Sequence, residues 1–267
     1  MGENLKKAIV FDNSGTLLER SKAIKDIQNN KIITHINPMT LIDNIGDSAL
    51  AVLQCDTNIL KDLNQEMKIY EFIEKNNIKI SVSYSSSDAS DEEIFNIIKN
   101  DNSTIKEIVD CFKPLKEKVP NMELCNGSAL ILDVKNKKVA YTITSAGQLF
   151  PNVKSTIDTL QKNNIDIYIA SGDRYGAILK LAEIIKIDKN NVFPTATKIR
   201  KGEIILELQN KGYKVMMVGD GPNDILAFNN ADVAILTVEQ KGDYGDRMPK
   251  HADFIIEDIS QVLDIEF

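Results

Sequence analysis

Residues 201–235 read KGEIILELQNKGYKVMMVGDGPNDILAFNNADVAI, and this stretch decides the fold. Ile204, Ile205 and Leu208 recur at helical spacing, and the pattern stops near Gly212, a residue suited to a helix C-terminus. Val215-Met216-Met217-Val218 is a short unbroken apolar run, as expected of a strand covered on both faces. It ends on Gly219-Asp220-Gly221-Pro222-Asn223-Asp224, a Gly- and Pro-rich strand-to-helix turn. Another apolar run, Val233-Ala234-Ile235, follows. Strands alternating with helices in this way predict a doubly wound α/β domain with a parallel sheet.

Working outward, the same pattern recurs. Ala8-Ile9-Val10-Phe11 ends at Asp12, and Ile165-Asp166-Ile167-Tyr168-Ile169-Ala170 ends at Ser171-Gly172-Asp173. Phe254-Ile255-Ile256 is one more short run. Pro151 suits a first helical position before Val153, Ile157 and Leu160, and Tyr175, Ile178, Leu179, Ala182 and Ile185 mark another helix. Ligands of such sheets bind beyond the carboxyl ends of the strands, and Asp12, Ser171 and Asp220 each stand at that end.

The middle of the chain lacks the alternation. Residues 31–36, 49–54 and 78–84 read as strands, and stretches near 57–76, 91–100 and 103–118 as helices. Ser90 with Glu93 forms a capping box, and Lys135-Asn136-Lys137 reads as a hairpin turn between 129–134 and 138–144. The expected organisation is therefore a core of residues 1–20 and 142–267, with an α+β domain, 21–141, inserted after the first strand.

With 267 residues, 43% of them hydrophobic, the chain can bury a substantial core, which argues against disorder. A net charge of −7 gives no overall electrostatic footprint for nucleic acid. No apolar run approaches the roughly 18–20 residues needed to span a bilayer. Met1-Gly2-Glu3-Asn4 has no signal-peptide character, so a cytoplasmic protein is expected. Cys55, Cys111 and Cys125 form no CxxC and are expected to be reduced; His35 and His251 are isolated and fit no zinc spacing.

Four junctions carry chemistry. In Asp12-Asn13-Ser14-Gly15-Thr16, a carboxylate at a strand end can attack phosphorus, and Gly15 lets backbone amides come close; taken alone, an ordinary turn accounts for the same residues. Ser171-Gly172-Asp173 offers a hydroxyl and amides at a helix entry for phosphate oxygens, or simply an N-cap. Lys198, Arg200 and Lys201 crowd the first turn of a helix, where cations oppose the dipole, which points to an anion nearby or to a solvated basic turn. Asp220 and Asp224, four apart on a Gly-rich turn, can hold a hard cation such as magnesium, or can cap the turn. Four such features in order at successive junctions favour phosphoryl-transfer chemistry over coincidence.

With these residues assembled, the chain resembles the haloacid dehalogenase superfamily, and within it the phosphorylation domain of P-type ATPases. The resemblance rests on residues 11–17 (FDNSGTL), 169–173 (IASGD) and 201–235. It implies a Rossmann-like core whose inserted middle takes the place of a cap or nucleotide-binding domain. It also implies a magnesium-dependent phosphatase with Asp12 as the nucleophile that becomes an aspartyl phosphate. Asp220, Asp12 and the Ser14 carbonyl would then bind the metal, with Asp224 acting through water or Asn223. Ser171, with Gly172 and Asn223, would bind phosphate, and Lys201, preferred over Lys198, would neutralise charge.

Two departures qualify it. No membrane segment is seen. Ser14 stands where many superfamily phosphatases carry a second Asp that protonates the leaving group. Substrates with good leaving groups are therefore expected, drawn from small phosphate compounds. A non-catalytic phosphate-ligand sensor or regulatory partner is the alternative, and a subunit of a membrane transporter a further one.

Overall fold

The computed structural model describes residues 6–36, 38–120, 124–240 and 248–267. In chain order the strands are β1 (Lys6–Phe11), β2 (Leu18–Asp26), β3 (Lys31–Ile33), β4 (Ser48–Leu53), β5 (Ile80–Ser85), β6 (Leu124–Asp133), β7 (Lys138–Leu149), β8 (Asp166–Ala170), β9 (Val192–Phe193), β10 (Tyr213–Gly219), β11 (Val233–Thr237) and β12 (Phe254–Ile256). The helices are α1 (Pro38–Ile45), α2 (Ile69–Lys75), α3 (Asp91–Asn100), α4 (Ile105–Val109), α5 (Phe112–Lys118), α6 (Val153–Lys162), α7 (Tyr175–Ile184), α8 (Lys198–Asn210) and α9 (Ile225–Asn230).

Contacts divide the chain into two compact units, Met1–Arg20 with Gln148–Phe267, and Ser21–Gly147. The chain leaves the first unit within β2 and returns within β7, so residues 141 and 142 lie inside one continuous strand.

The first unit is built on a parallel sheet in the order β12-β11-β10-β1-β8-β9. The last four residues of β1 and the last five of β10 are buried, as a strand covered on both faces requires. From β1 the chain builds outward through β8 and β9, then returns to lay β10, β11 and β12 on the other side. The direction reverses between β1 and β10, and a crevice at the strand ends is where such sheets bind ligands. Ile204, Ile205 and Leu208 of α8 and Ala227 and Phe228 of α9 pack with Val10, Val215, Met217 and Ala234 of the sheet. This packing anchors α8 against the strands whose ends carry the candidate site.

The second unit holds a sheet in the order β3-β2-β7-β6-β4-β5, with β2–β3, β6–β7, β4–β6 and β4–β5 antiparallel. Ala49, Ala51 and Leu53 share a core with Phe72, Ile94, Ile98, Ile108 and Leu115 from α2 to α5. Ile24, Ile131 and Ile143 share another with Leu41 and Ile42 of α1. Alternation along the strands thus feeds two apolar layers, one per sheet face. The Ser90–Glu93 capping box is present at the start of α3. The helix expected near 57–76 is instead a 3-10 segment, Thr57–Asp62, followed by α2.

Cys55 and Cys111 are buried free thiols, and burial pushes the Cys111 thiol up to about 12. The side chain of Cys125 lies outside the described residues. No helix among the described residues is long and apolar enough to cross a membrane.

Candidate active site

The end of β1 is fixed by its register. Phe11 lies opposite Val218 of β10, and the Asp12 N–H donates to the Val218 carbonyl at 2.9 Å. Beyond it the chain curls tightly, with the Asn13 carbonyl accepting from the N–H groups of Thr16, Leu17 and Leu18. Gly15 sits at φ +87°, and a Cβ there would lie 2.0 Å from Asp220 Oδ2. Glycine is therefore required twice over, by conformation and by the approach of Asp220. Asp12 is only 3% exposed.

The end of β10 brings the second and third carboxylates. Asp224 is fully buried, and the Gly221 N–H donates to its Oδ2 at 3.3 Å. A Cβ on Gly219 would lie 2.5 Å from that same oxygen.

From the first turn of α8, Lys201 reaches inward. Its ammonium donates to Asp12 Oδ1 at 2.5 Å and to Asp224 Oδ1 at 2.7 Å, with the Lys201 side chain 1% exposed. The rest of the basic cluster does not join it. Arg200 pairs with Glu203 and Glu207 on the helix surface, and Lys198 is exposed. Thr197 caps the helix by accepting from the Arg200 N–H.

The charges in this cluster do not balance. Asp12, Asp220 and Asp224 can each place one oxygen within 4.8 Å of the others, and among the described residues Lys201 supplies the one ammonium paired with the cluster, through Asp12 and Asp224. Burial works against the charged form of Lys201, but Asp12 and Asp224 outweigh it and raise its pKa. Burial, then the Asp12 charge, pushes the carboxyls of Asp220 and Asp224 upward. Three closely spaced carboxylate oxygens with excess negative charge suit a small divalent cation with hard-ligand preference. The donor set therefore fits magnesium.

At the end of β8, Ser171 is buried, and its N–H donates to the Phe193 carbonyl of β9. Asp173 does not cap α7: the N-cap position is Arg174, which makes no side-chain capping bond. Instead Asp173 Oδ2 accepts from Asn13 Nδ2 at 2.7 Å, Ser14 Oγ at 3.0 Å and Ser171 Oγ at 3.2 Å. Its other oxygen, Oδ1, accepts from Arg20 at 2.5 Å. Burial alone would raise the Asp173 carboxyl, but Arg20, Asn13, Ser14 and Ser171 together hold it below the usual carboxylate range.

The structure thus gathers Asp12, Lys201, Asp220 and Asp224 into one cluster and ties Ser14 to Ser171 through Asp173. Gly172 and Asn223 are exposed, and no hydrogen bond among the described residues joins Asn223 to Asp12, Ser171 or Lys201. Sequence reading misses the roles of Asp173 and Arg20. Asp173 lies in a motif but resembles a cap. Arg20 lies in none, and only its position shortly after the 12–16 loop singles it out.

The family model described as haloacid dehalogenase-like hydrolase matches residues 6–232. A soluble P-type ATPase-like phosphatase of Methanocaldococcus jannaschii is 35% identical over 262 residues, 98% of this chain and 93% of that protein. A probable copper-importing P-type ATPase A of Enterococcus hirae is 30% identical over 124 residues, 46% of this chain but only 17% of the ATPase. The solved catalytic domain of a CPx-ATPase, CopB-B, superposes with a TM-score of 0.50 at 18% identity, covering 97% of this chain and 88% of that one. At that identity the likeness concerns fold alone.

Proposed function

The chain belongs to the haloacid dehalogenase-like hydrolases, and from that premise we propose that it is a phosphatase in which Asp12 is the nucleophile. The observation that carries this reading is the Lys201 ammonium shared between Asp12 and Asp224 at the end of the central strand. A nucleophilic carboxylate facing an anionic substrate needs a fixed positive charge beside it, and Lys201 supplies one without reorganisation.

Asp12, Asp220 and the Ser14 carbonyl would hold magnesium, with Asp224 acting through water or Asn223. When bound there the ion supplies positive charge for the phosphoryl oxygens. Ser171 orients a phosphoryl oxygen through its hydroxyl, with the Gly172 amide beside it. A carboxylate oxygen of Asp12 then attacks phosphorus. The bond to the leaving oxygen breaks with its electron pair, and an acyl phosphate forms on Asp12. Water next attacks that phosphorus, returning the Asp12 carboxylate and releasing inorganic phosphate.

Ser14 offers a hydroxyl where an acid would protonate the leaving oxygen, and that hydroxyl already donates to Asp173. Leaving groups that need no proton, those of phosphoanhydrides and aryl esters, fit such a site best. The inserted domain, 21–141, is read as the substrate-selecting module, and the substrate as a small phosphate compound in the cytoplasm. Magnesium-dependent release of phosphate from a panel of phosphate compounds, with Asp12→Asn as the blank, tests the reading. Equal trace activity in the blank would leave a phosphate-binding sensor as the better account.

A further inference from the structure

The hydrogen bonds around Asp173 set a problem that the motifs do not answer. Each serine hydroxyl has one proton to donate. Ser14 and Ser171 both direct theirs to Asp173 Oδ2, and Asn13 adds an amide proton to the same oxygen. A hydroxyl engaged in this way cannot at the same moment donate to a phosphoryl oxygen. The site thus contains an anion of its own at the point where its hydroxyl donors converge.

When a phosphoryl group arrives, those donors must turn from Asp173 to the substrate. Asp173, with a side chain only 18% exposed, then loses hydrogen bonds to a charged group, which is costly unless a cation stays behind. Arg20 is placed to be that cation. Its guanidinium contacts Oδ1, the oxygen the hydroxyls do not use, so it can hold Asp173 without competing for them. Its backbone is also held. The Arg20 N–H donates to Gln240 Oε1 at 2.6 Å, and Gln240 Nε2 donates back to the Arg20 carbonyl at 3.4 Å. Arg20 Nε has no hydrogen-bond partner among the described residues, and Asp173 is the acid with which the guanidinium pairs there.

We infer that Arg20 is a positioning residue for phosphate binding, holding the charge of Asp173 while the Ser14 and Ser171 hydroxyls pass from Asp173 to the phosphoryl group. The inference rests on the phosphatase reading and extends it to Arg20, which lies outside its motifs.

Inorganic phosphate binding, measured by calorimetry with magnesium present, tests it in the wild-type chain, Arg20→Gln, Asp173→Asn, the double variant and Arg20→Lys. Arg20→Gln should weaken phosphate binding about tenfold, the scale of one lost charge-assisted hydrogen bond. In the Asp173→Asn background the same change should cost almost nothing, because no charge remains to be held. Arg20→Lys should recover most of the loss, and it keeps the question answerable should Arg20→Gln fail to fold. An equal loss from Arg20→Gln in both backgrounds would mean that Arg20 acts without Asp173, and wild-type affinity in Arg20→Gln would mean that it does not act at all; either overturns the inference alone. No phosphate binding by the wild-type chain would instead overturn the reading of the site, and this inference with it.

Discussion

Gly15 and Asp220 come so close that a single methyl group would not fit between them: a Cβ on Gly15 would stand 2.0 Å from the Asp220 carboxylate. The loop after Asp12 and the turn after β10 are thereby shaped against each other. Gly15→Ala must strain a left-handed backbone and displace an acid of the cluster together. The expected cost is roughly 1–3 kcal/mol of stability from the backbone alone, with activity lost as well. Urea unfolding and phosphatase assays on the same preparation check it; a stable and active Gly15→Ala would show that the contact is dispensable.

Asp12→Asn removes one of three clustered negative charges while Lys201 keeps Asp224 as a partner. Without added metal the variant should unfold at the same or higher urea concentration than the wild type. Its activity should fall on the order of 10⁴-fold or more, as when a covalent nucleophile is removed. Opposite movement of stability and activity is the signature of a strained functional site. Marked destabilisation with activity retained would contradict both halves.

Magnesium should raise the thermal midpoint, and a chelator should return it. A ligand at a hundredfold above its Kd adds about 2.7 kcal/mol. Asp220→Asn should lose most of that shift, because Asp220 is the acid of the cluster without a bond to Lys201 among the described residues. The same metal-induced shift in wild type and variant would place the ion elsewhere.

Ser14 gives a kinetic expectation. Proton donation to a leaving group is worth typically about 10²–10⁴-fold, so p-nitrophenyl phosphate or a phosphoanhydride should turn over faster than a sugar phosphate by a factor in that range. Initial rates measured side by side decide it, and faster turnover of the sugar phosphate would sink the idea.

In the second unit, Lys25 is buried, its side chain 4% exposed, and donates to Asp110 at 2.8 Å and to Asn30. Burial works against the Asp110 carboxylate, but hydrogen bonds from Lys106 and Lys25 outweigh it and hold the carboxyl below its usual range. A lowered carboxyl contributes stability that is fully present above its unfolded value, about 3.9, and lost as pH falls through the folded value. Asp110→Asn should therefore cost about 1.5–3 kcal/mol near neutral pH, the scale of a lost hydrogen bond between charged groups, leaving the Lys25 ammonium with the neutral amide of Asn30. The gap between variant and wild type should close as pH drops below about 4. Urea unfolding at several pH values measures that gap, and a pH-independent difference would refute the charge argument.

The same lysine shows where sequence reading stops. Asp12, Ser171 and Asp220 were legible because a polar residue ending an unbroken apolar run is conspicuous, and the sheet then puts the ends of β8, β1 and β10 side by side. The parallel sheet was legible for the same reason, as was the Ser90–Glu93 cap, which needs only four residues in a row. The strand β2 was not, since Lys25 fills a buried position made tolerable by Asp110, 85 residues away, together with Asn30. Asp173 was hidden differently. Its residue type fits a helix cap, and its real partners Asn13 and Ser14 lie about 160 positions earlier.

The position of β1 at the centre of its sheet has a consequence for how the protein is made. Asp12 leaves the ribosome 189 residues before Lys201, an interval of about 10–40 s at ordinary rates of synthesis. Until residues 166–170 are made, the first strand has neither of its neighbours, β8 and β10, to pair with, and β10 is still to come when Lys201 emerges. Residues 21–147, all made in between, hold the strands and helices of the second unit's apolar layers. The nascent chain therefore carries an orphaned apolar strand ahead of a segment already able to collapse, and the central strand gains both its neighbours only once residues 166–219 are made.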